Sequence, residues 1–314
     1  MMATADNFLA NTLTTPVAVL LGGRSEERAV SLDSGAAVLA ALQQQGIDAV
    51  GIDTADDDWL QQVVAKYAHC FIALHGKHGE DGTVQGALEM LGLSYTGSGV
   101  LASALAMDKL RTKQLWRGIG FPTPAFEMLS EQSDWQGIID RWGEAMVKPS
   151  CEGSSIGMAR VSSAEQLKAA YQLAVKFDRR VLAEQWVVGA EFTVAILNGK
   201  ALPAIGLETD HRFYDYEAKY KSDDTRYLCP CGLSAEKERE LQQLALEAFD
   251  SLGCKGWGRV DFMQASDGQF YALEVNTVPG MTNHSLVPMA AKAAGMTFEQ
   301  LVAEILKNSI AEGC

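Results

Sequence analysis

Residues 17–21, VAVLL, form an unbroken apolar run that ends at Gly22-Gly23. A run so short and so uniformly apolar predicts a strand covered on both faces. After the polar loop RSEER (24–28), apolar positions from about Ser31 to Gln45 follow helical spacing and stop at Gly46. A second strand (about 47–52), a helix (about 57–67) and a third strand, CFIAL at 70–74, continue the alternation. Such alternation predicts a parallel sheet flanked by helices, here to about residue 105. Ligands gather at the carboxyl ends of strands in these sheets, where residues 24–28 and 75–82 lie.

Beyond residue 105 the pattern changes. A helix (107–118) precedes the break Phe121-Pro122-Thr123-Pro124, and strand AMVKP (145–149) runs into a Gly/Ser loop before strand MARV (158–161). Ser162 and Glu165 have capping-box spacing for a helix reaching about Phe177, and VLAEQWV (181–187) reads as a strand. Strands at 191–197 and 201–207, a polar loop at about 208–232 and a helix at about 235–252 come next. A hairpin (259–276) and a helix (about 297–309) complete the order. The division this suggests is 1–105, 106–188 and 189–314.

Composition narrows the function. Of 314 residues, 47% are hydrophobic and 21% charged, enough to bury a core, and the formal net charge is −14. A surface that acidic repels nucleic acid and anionic membranes, so an anionic ligand needs a local basic site. The amino terminus lacks the basic and apolar regions of a secretory signal, and no apolar run reaches the roughly 18 residues of a membrane span. Six scattered cysteines without a CxxC fit reduced thiols in a cytoplasm.

The hairpin carries the sharpest chemistry. Asp267-Gly268 predicts a two-residue type I′ turn, which sets Val260 opposite Val275 and Phe262 opposite Leu273. The other face then carries Asp261 opposite Glu274 and Arg259 opposite Asn276. Carboxylates facing each other repel unless a cation lies between them, and an all-oxygen set suits magnesium or manganese. A solvated face with Arg259 as partial counter-charge is the bland alternative. Lys148 ends a strand and opens the loop PSCEGSSIG, whose glycines allow backbone N–H groups to approach phosphate oxygens. It lacks the GK[ST] of a Walker loop and by itself is a weak signal.

HGKHGEDGTVQG (75–86) resembles the amino-terminal signature of D-alanine–D-alanine ligases, and GRVDFM (258–263) with LEVNTVPG (273–280) resembles their carboxyl-terminal one. Met107-Asp-Lys109, Val147-Lys-Pro-Ser150, Glu191-Phe-Thr193 and FYDYEAKY (213–220) lie between them in family order, so the likeness spans Val17 to about Leu306. The resemblance implies an α/β chain: an N-terminal parallel-sheet domain, then a two-part, α+β ATP-grasp fold holding ATP between two sheets. It implies that Lys109, Lys148 and Ser155 meet ATP phosphates, with Lys219 near the γ-phosphate. The hinge from Glu184 through Trp186 to Val187 would hold adenine, and Glu191 the ribose. Asp261, Glu274 and Asn276 would hold two Mg2+ (or Mn2+) ions. Glu27, joined to Ser154 and Tyr220, would take the first D-alanine's ammonium, with His75 alongside, and Ser285 with Leu286 the second D-alanine's carboxylate. Arg259 and the Gly280 N–H would stabilise the tetrahedral oxyanion. A homodimer is also implied.

Cys151 stands in the phosphate loop where many relatives carry a basic or polar residue, and Val278 precedes the Pro-Gly where a small polar one is common. Competing readings are a D-alanine–D-lactate or D-alanine–D-serine ligase, against which YEAKY (216–220) argues, a catalytically silent nucleotide-binding relative, and another ATP-grasp carboxylate–amine ligase. A zinc site at His75, His78 and Glu80 is the weakest alternative.

Overall fold

The computed structural model describes residues 9, 13–153, 156–208, 226–282 and 284–311. Its first layer is the all-parallel sheet expected from the sequence. Strands β1 (Val17–Leu21), β2 (Ala49–Asp53), β3 (His69–Ile72) and β4 (Ser94–Tyr95) run in the order β2-β1-β3-β4. Helix α1 (Arg28–Gln44) lies so close to β1 that a Cβ on Gly35 would meet the Leu21 Cβ at 2.4 Å. Only glycine permits that approach. Helices Leu286–Ala293 and Phe298–Ala311 share this core through Leu286, Val287, Leu301 and Leu306. The chain end is thereby fastened to its beginning.

The second layer is an antiparallel sheet of β5 (Phe126–Leu129), β6 (Ala145–Pro149), β7 (Ala159–Val161) and β8 (Val181–Gln185), ordered β5-β8-β6-β7. Every residue of β6 is buried, Lys148 included. The third layer is a sheet of β9 (Gly189–Leu197), β10 (Lys200–Ala201), β11 (Ile205–Glu208), β12 (Arg226–Leu228), β13 (Trp257–Ala265) and β14 (Phe270–Asn276). Its order is β12-β11-β9-β13-β14 with β10 paired to β9, and Ala235–Ser251 packs on its apolar face.

Local predictions failed where side chains compete for the backbone. The helix expected at 107–118 is found at Lys109–Gly118, starting two residues later because Asp108 adopts an extended conformation and accepts the Arg111 N–H as a helix cap. A separate helix, Val100–Met107, precedes it. The cap at 162 moves one residue: Ser163 accepts the Gln166 N–H, and Gln166 Oε1 takes the Ser162 N–H. Strand 201–207 splits into Lys200–Ala201 and Ile205–Glu208 around Pro203, which has no N–H to pair.

The hairpin tip is also different. The Ala265 amide donates to the Gln269 carbonyl and the Gly268 amide to the Ala265 carbonyl, both at 2.9 Å. Ser266, Asp267 and Gly268 thus form a three-residue loop in which only Gly268 has positive φ, 83°. A type I′ turn needs positive φ at both central residues, which a β-carbon on Asp267 disfavours. The pairing slips by one, and Phe262 faces Ala272, not Leu273. A bulge at Leu273 then takes up the extra residue. Asp261 opposite Glu274 and Arg259 opposite Asn276 are therefore as expected, through two offsets that cancel.

Candidate active site

Glu27 immediately precedes α1, and its side chain is buried against two glycines from distant loops. A Cβ on Gly76 would lie 2.6 Å, and one on Gly153 2.7 Å, from Glu27 Oε2. The first loop after β1, the loop after β3 and the Gly/Ser loop after β6 therefore converge on one carboxylate. Glu80 joins it: its Oε2 accepts the Gly76 N–H at 2.6 Å. Burial, and then the neighbouring Glu27 charge, push the Glu80 carboxyl up to about 8. Two carboxyls and the backbone of three loops thus line one pocket, a lining suited to an ammonium.

His75 is buried with both ring nitrogens engaged. Nδ1 lies 2.9 Å from the Val278 carbonyl and Nε2 3.0 Å from Ser34 Oγ. A carbonyl only accepts, so Nδ1 carries the hydrogen and Nε2 accepts from the serine. Burial holds the imidazole below its usual range, consistent with this neutral form. Ser34 Oγ in turn accepts the Met281 N–H at 3.1 Å. His75 thus ties the first sheet to the segment carrying Gly280, a positioning link that its motif alone does not disclose.

On the hairpin, Arg259 grips Asp261 with two bonds, Nε to Oδ1 and Nη2 to Oδ2, each 2.8 Å. Thr193 donates to Oδ1 at 2.6 Å and the Asn276 amide to Oδ2 at 3.1 Å. Glu274 pairs with Lys109 Nζ at 3.2 Å. The same ammonium donates to the Glu152 carbonyl at 2.8 Å, so Lys109 joins the acidic face to the Gly/Ser loop. Burial is the largest influence and opposes its charge, but Glu274, Cys151 and Glu27 together outweigh it and raise the ammonium above its usual value. Asp261, Glu274 and Asn276 supply oxygens on one face in direct register, and a half-turn of the Asn276 amide presents its oxygen there too. This set fits a hard divalent cation. Among the described residues no group of three or more His, Cys, Asp or Glu side chains could hold a metal, which speaks against zinc at His75, His78 and Glu80.

The Gly/Ser loop is anchored by Asp108, whose carboxylate accepts from Ser150 Oγ (2.6 Å), Arg111 (2.8 Å) and Arg180 (2.5 Å). Cys151 faces Arg180 Nη2 at 3.0 Å, and burial pushes its thiol up to about 11. At the hinge, Lys148 Nζ lies 2.9 Å from Glu184 Oε1 while Lys113 Nζ lies 2.5 Å from Glu184 Oε2. Beside them the Arg160 guanidinium stacks 4.4 Å above the Trp186 ring. Ser285 ends the turn before Leu286–Ala293, its Oγ accepting the Thr282 N–H at 2.9 Å and lying 2.8 Å from where a Gly280 Cβ would be. The Leu286 amide thus opens a helix, and Glu191 lies on β9 opposite Leu207. Val187 falls between β8 and β9. Ser154, Ser155, Lys219 and Tyr220 lie outside the described residues.

The sequence assigned no role to Asp108, Lys113 or Thr193, and it offered Glu80 only as a zinc ligand. Glu80, Asp108 and Thr193 stand inside family motifs, and Lys113 lies one helical turn beyond Lys109 on the same helix.

A family model described as D-ala D-ala ligase C-terminus matches residues 115–307, and one described as D-ala D-ala ligase N-terminus matches 60–98. The chain is 59% identical to a D-alanine–D-alanine ligase of Saccharophagus degradans over 293 residues, 93% of each chain. It is also 59% identical to one of Ectopseudomonas mendocina, over 94% of each. Among solved structures, the Bacillus anthracis D-alanine–D-alanine ligase complexed with ATP aligns with a TM-score of 0.84 at 32% identity, covering 95% of this chain and 98% of that one. A D-Ala:D-Ser ligase from Enterococcus faecalis aligns at 0.81 with 28% identity, over 95% and 100%.

Proposed function

This chain belongs to the D-alanine–D-alanine ligase family, and from that membership we infer that it joins two D-alanines into D-alanyl-D-alanine for peptidoglycan synthesis, converting ATP to ADP and phosphate. The observation that carries the reading is the placement of Lys109. Its ammonium spans the acidic hairpin face and the loop that presses Gly153 against Glu27, which supports reading the nucleotide, metal and amino-acid positions as one site.

The chemistry runs in two steps. Glu27, with Glu80 bonded to the neighbouring Gly76 N–H, holds the first D-alanine by its ammonium. The carboxylate of that D-alanine attacks the γ-phosphate, forming an acyl phosphate and releasing ADP. Lys109 and Lys148, with Ser155 and Lys219, offset charge on the phosphates. Two magnesium or manganese ions at Asp261, Glu274 and Asn276 would supply further electrostatic stabilisation of the transferring group. The amine of the second D-alanine, its carboxylate at Ser285 and the Leu286 N–H, then attacks the acyl carbon. Arg259 and the Gly280 N–H stabilise the oxyanion, and phosphate leaves. Adenine sits along Glu184, Trp186 and Val187, with the ribose at Glu191, while Ser154 and Tyr220 link to Glu27 over the site. The units 1–105, 106–188 and 189–314 are proposed as substrate, central and metal-bearing parts.

Among the described residues no helix is long and apolar enough to cross a membrane. Use of ATP together with free thiols at Cys70, Cys151, Cys229, Cys231 and Cys254 supports a cytoplasmic location. The proposed homodimer is checked by sedimentation. Phosphate release with ATP, magnesium and D-alanine tests the activity, against L-alanine and against D-lactate or D-serine added to D-alanine. Release that requires D-lactate or D-serine would reassign the acceptor. Tyr220→His should shift acceptor choice toward D-lactate; unchanged selectivity removes that residue from acceptor recognition.

A further inference from the structure

We propose that Lys113 is a positioning residue that frees Lys148 for the nucleotide, by keeping the Glu184 carboxylate neutralised when the Lys148 ammonium turns toward a phosphate. The inference rests on the reading of Lys148 as a phosphate contact and adds a residue which that reading does not contain.

Lys113 is fully buried, at 0% exposure, on helix Lys109–Gly118. Its ammonium is 2.5 Å from Glu184 Oε2 and donates to Thr123 Oγ1 at 2.7 Å. Thr123 in turn donates to the Ala272 carbonyl on β14 at 2.9 Å. Lys113 is therefore fixed from both sides, between the central sheet and the strand carrying Glu274. Lys148 takes the other carboxylate oxygen, Oε1, at 2.9 Å. Burial alone would raise the Glu184 carboxyl, but Lys113 and Lys148 outweigh it and hold it below its usual range.

Stability alone does not call for this arrangement. One lysine and one glutamate make a neutral buried pair, and a second buried ammonium adds a desolvation penalty, offset only in part by the Glu274 charge that Lys109 already pairs. The surplus is one positive charge at the place where an anionic nucleotide is read to bind. Were Lys148 the sole partner, drawing it toward a phosphate would strand a buried carboxylate. With Lys113 fixed against Oε2, Glu184 keeps a counter-ion at neutral pH, although burial lowers the Lys113 ammonium to about 8, and Lys148 can move without that penalty.

The test is steady-state kinetics on the full-length enzyme with ATP, magnesium and D-alanine. Lys113→Met should raise KM for ATP by about tenfold or more, leaving kcat and KM for D-alanine within about threefold. A purely structural role lowers kcat together with thermal stability. An unchanged KM for ATP in Lys113→Met overturns the proposal. Thr123→Val keeps the lysine and removes its anchor, and it carries the test if Lys113→Met does not fold. A rise of about threefold in KM for ATP alone is expected from it, and no change overturns the proposal. Lys148→Met separates the two readings. If it leaves KM for ATP unchanged, the nucleotide site itself is misassigned; if it raises KM while Lys113→Met does not, only the role of Lys113 falls.

Discussion

Two of the carboxylates held by cations in this molecule, Asp261 and Glu184, are held in opposite ways. Asp261 is gripped by Arg259, two residues away on its own strand, with Thr193 and Asn276 completing its bonds on a face open enough to leave Glu274 partly exposed. Glu184 is enclosed by Lys113 and Lys148, which lie 71 and 36 residues from it along the chain. The first arrangement is local and can exchange a protein donor for a hard cation. The second is long-range and joins helix, central sheet and hinge. Charge on the hairpin face is arranged for chemistry, whereas charge at the hinge also holds the fold together.

The largest effect expected from this contrast is on turnover. Asp261→Asn or Glu274→Gln should each lower phosphate release by at least about a hundredfold, since each removes a proposed metal ligand. The melting temperature should stay close to that of the parent. A chelator should likewise stop turnover and leave melting nearly unchanged. Near-parental rates in both variants would show that the hairpin face holds no catalytic metal.

Next in size is an effect on stability at the hinge. Glu184→Ala leaves two buried ammoniums without their counter-ion and should lower unfolding free energy by about 3–5 kcal/mol. Denaturant midpoints read this directly, with Asp261→Asn as the comparison. The contrast fails if the two variants lose similar stability.

How far each region could be read from the sequence follows from the same difference. Asp261 and Glu274 were legible because alternation and a hairpin bring them together by geometry internal to nineteen residues. Even there the predicted turn was wrong, and the facing pairs survived because a bulge at Leu273 cancels a three-residue tip. The parallel sheet was legible for a similar reason, since short apolar runs alternating with helical spacing admit few arrangements. The Lys113–Glu184 pair was not, because nothing local to an amphipathic helix says which lysine turns inward. His75 stood in a recognisable motif, yet its bonds to Val278 and Ser34 depend on how the chain end packs against the first sheet. Periodicity finds elements and faces; it does not find partners supplied by another layer.

The smallest expected effect comes from a third carboxylate, nearer the surface, which sharpens the contrast by lacking burial. Asp53 accepts two bonds from Arg28, at 2.9 and 2.6 Å, and takes the Gly23 and Ala55 N–H groups as well. The Arg28 bond draws its carboxyl down to about 2, from an ordinary value of 3.8. A carboxyl whose value is lower in the folded chain than in the unfolded one binds fewer protons when folded. Its contribution is therefore complete above about pH 4 and is lost as pH falls toward 2. Because the pair is partly solvated and screened by salt, the loss should be modest. Denaturant midpoints between pH 5 and pH 2 should fall less steeply in Asp53→Asn than in the parent, and the gap should narrow at high salt. Parallel slopes would mean that the pair adds no pH-dependent stability, leaving the buried hinge as the place where a carboxylate's ion pair matters to the fold.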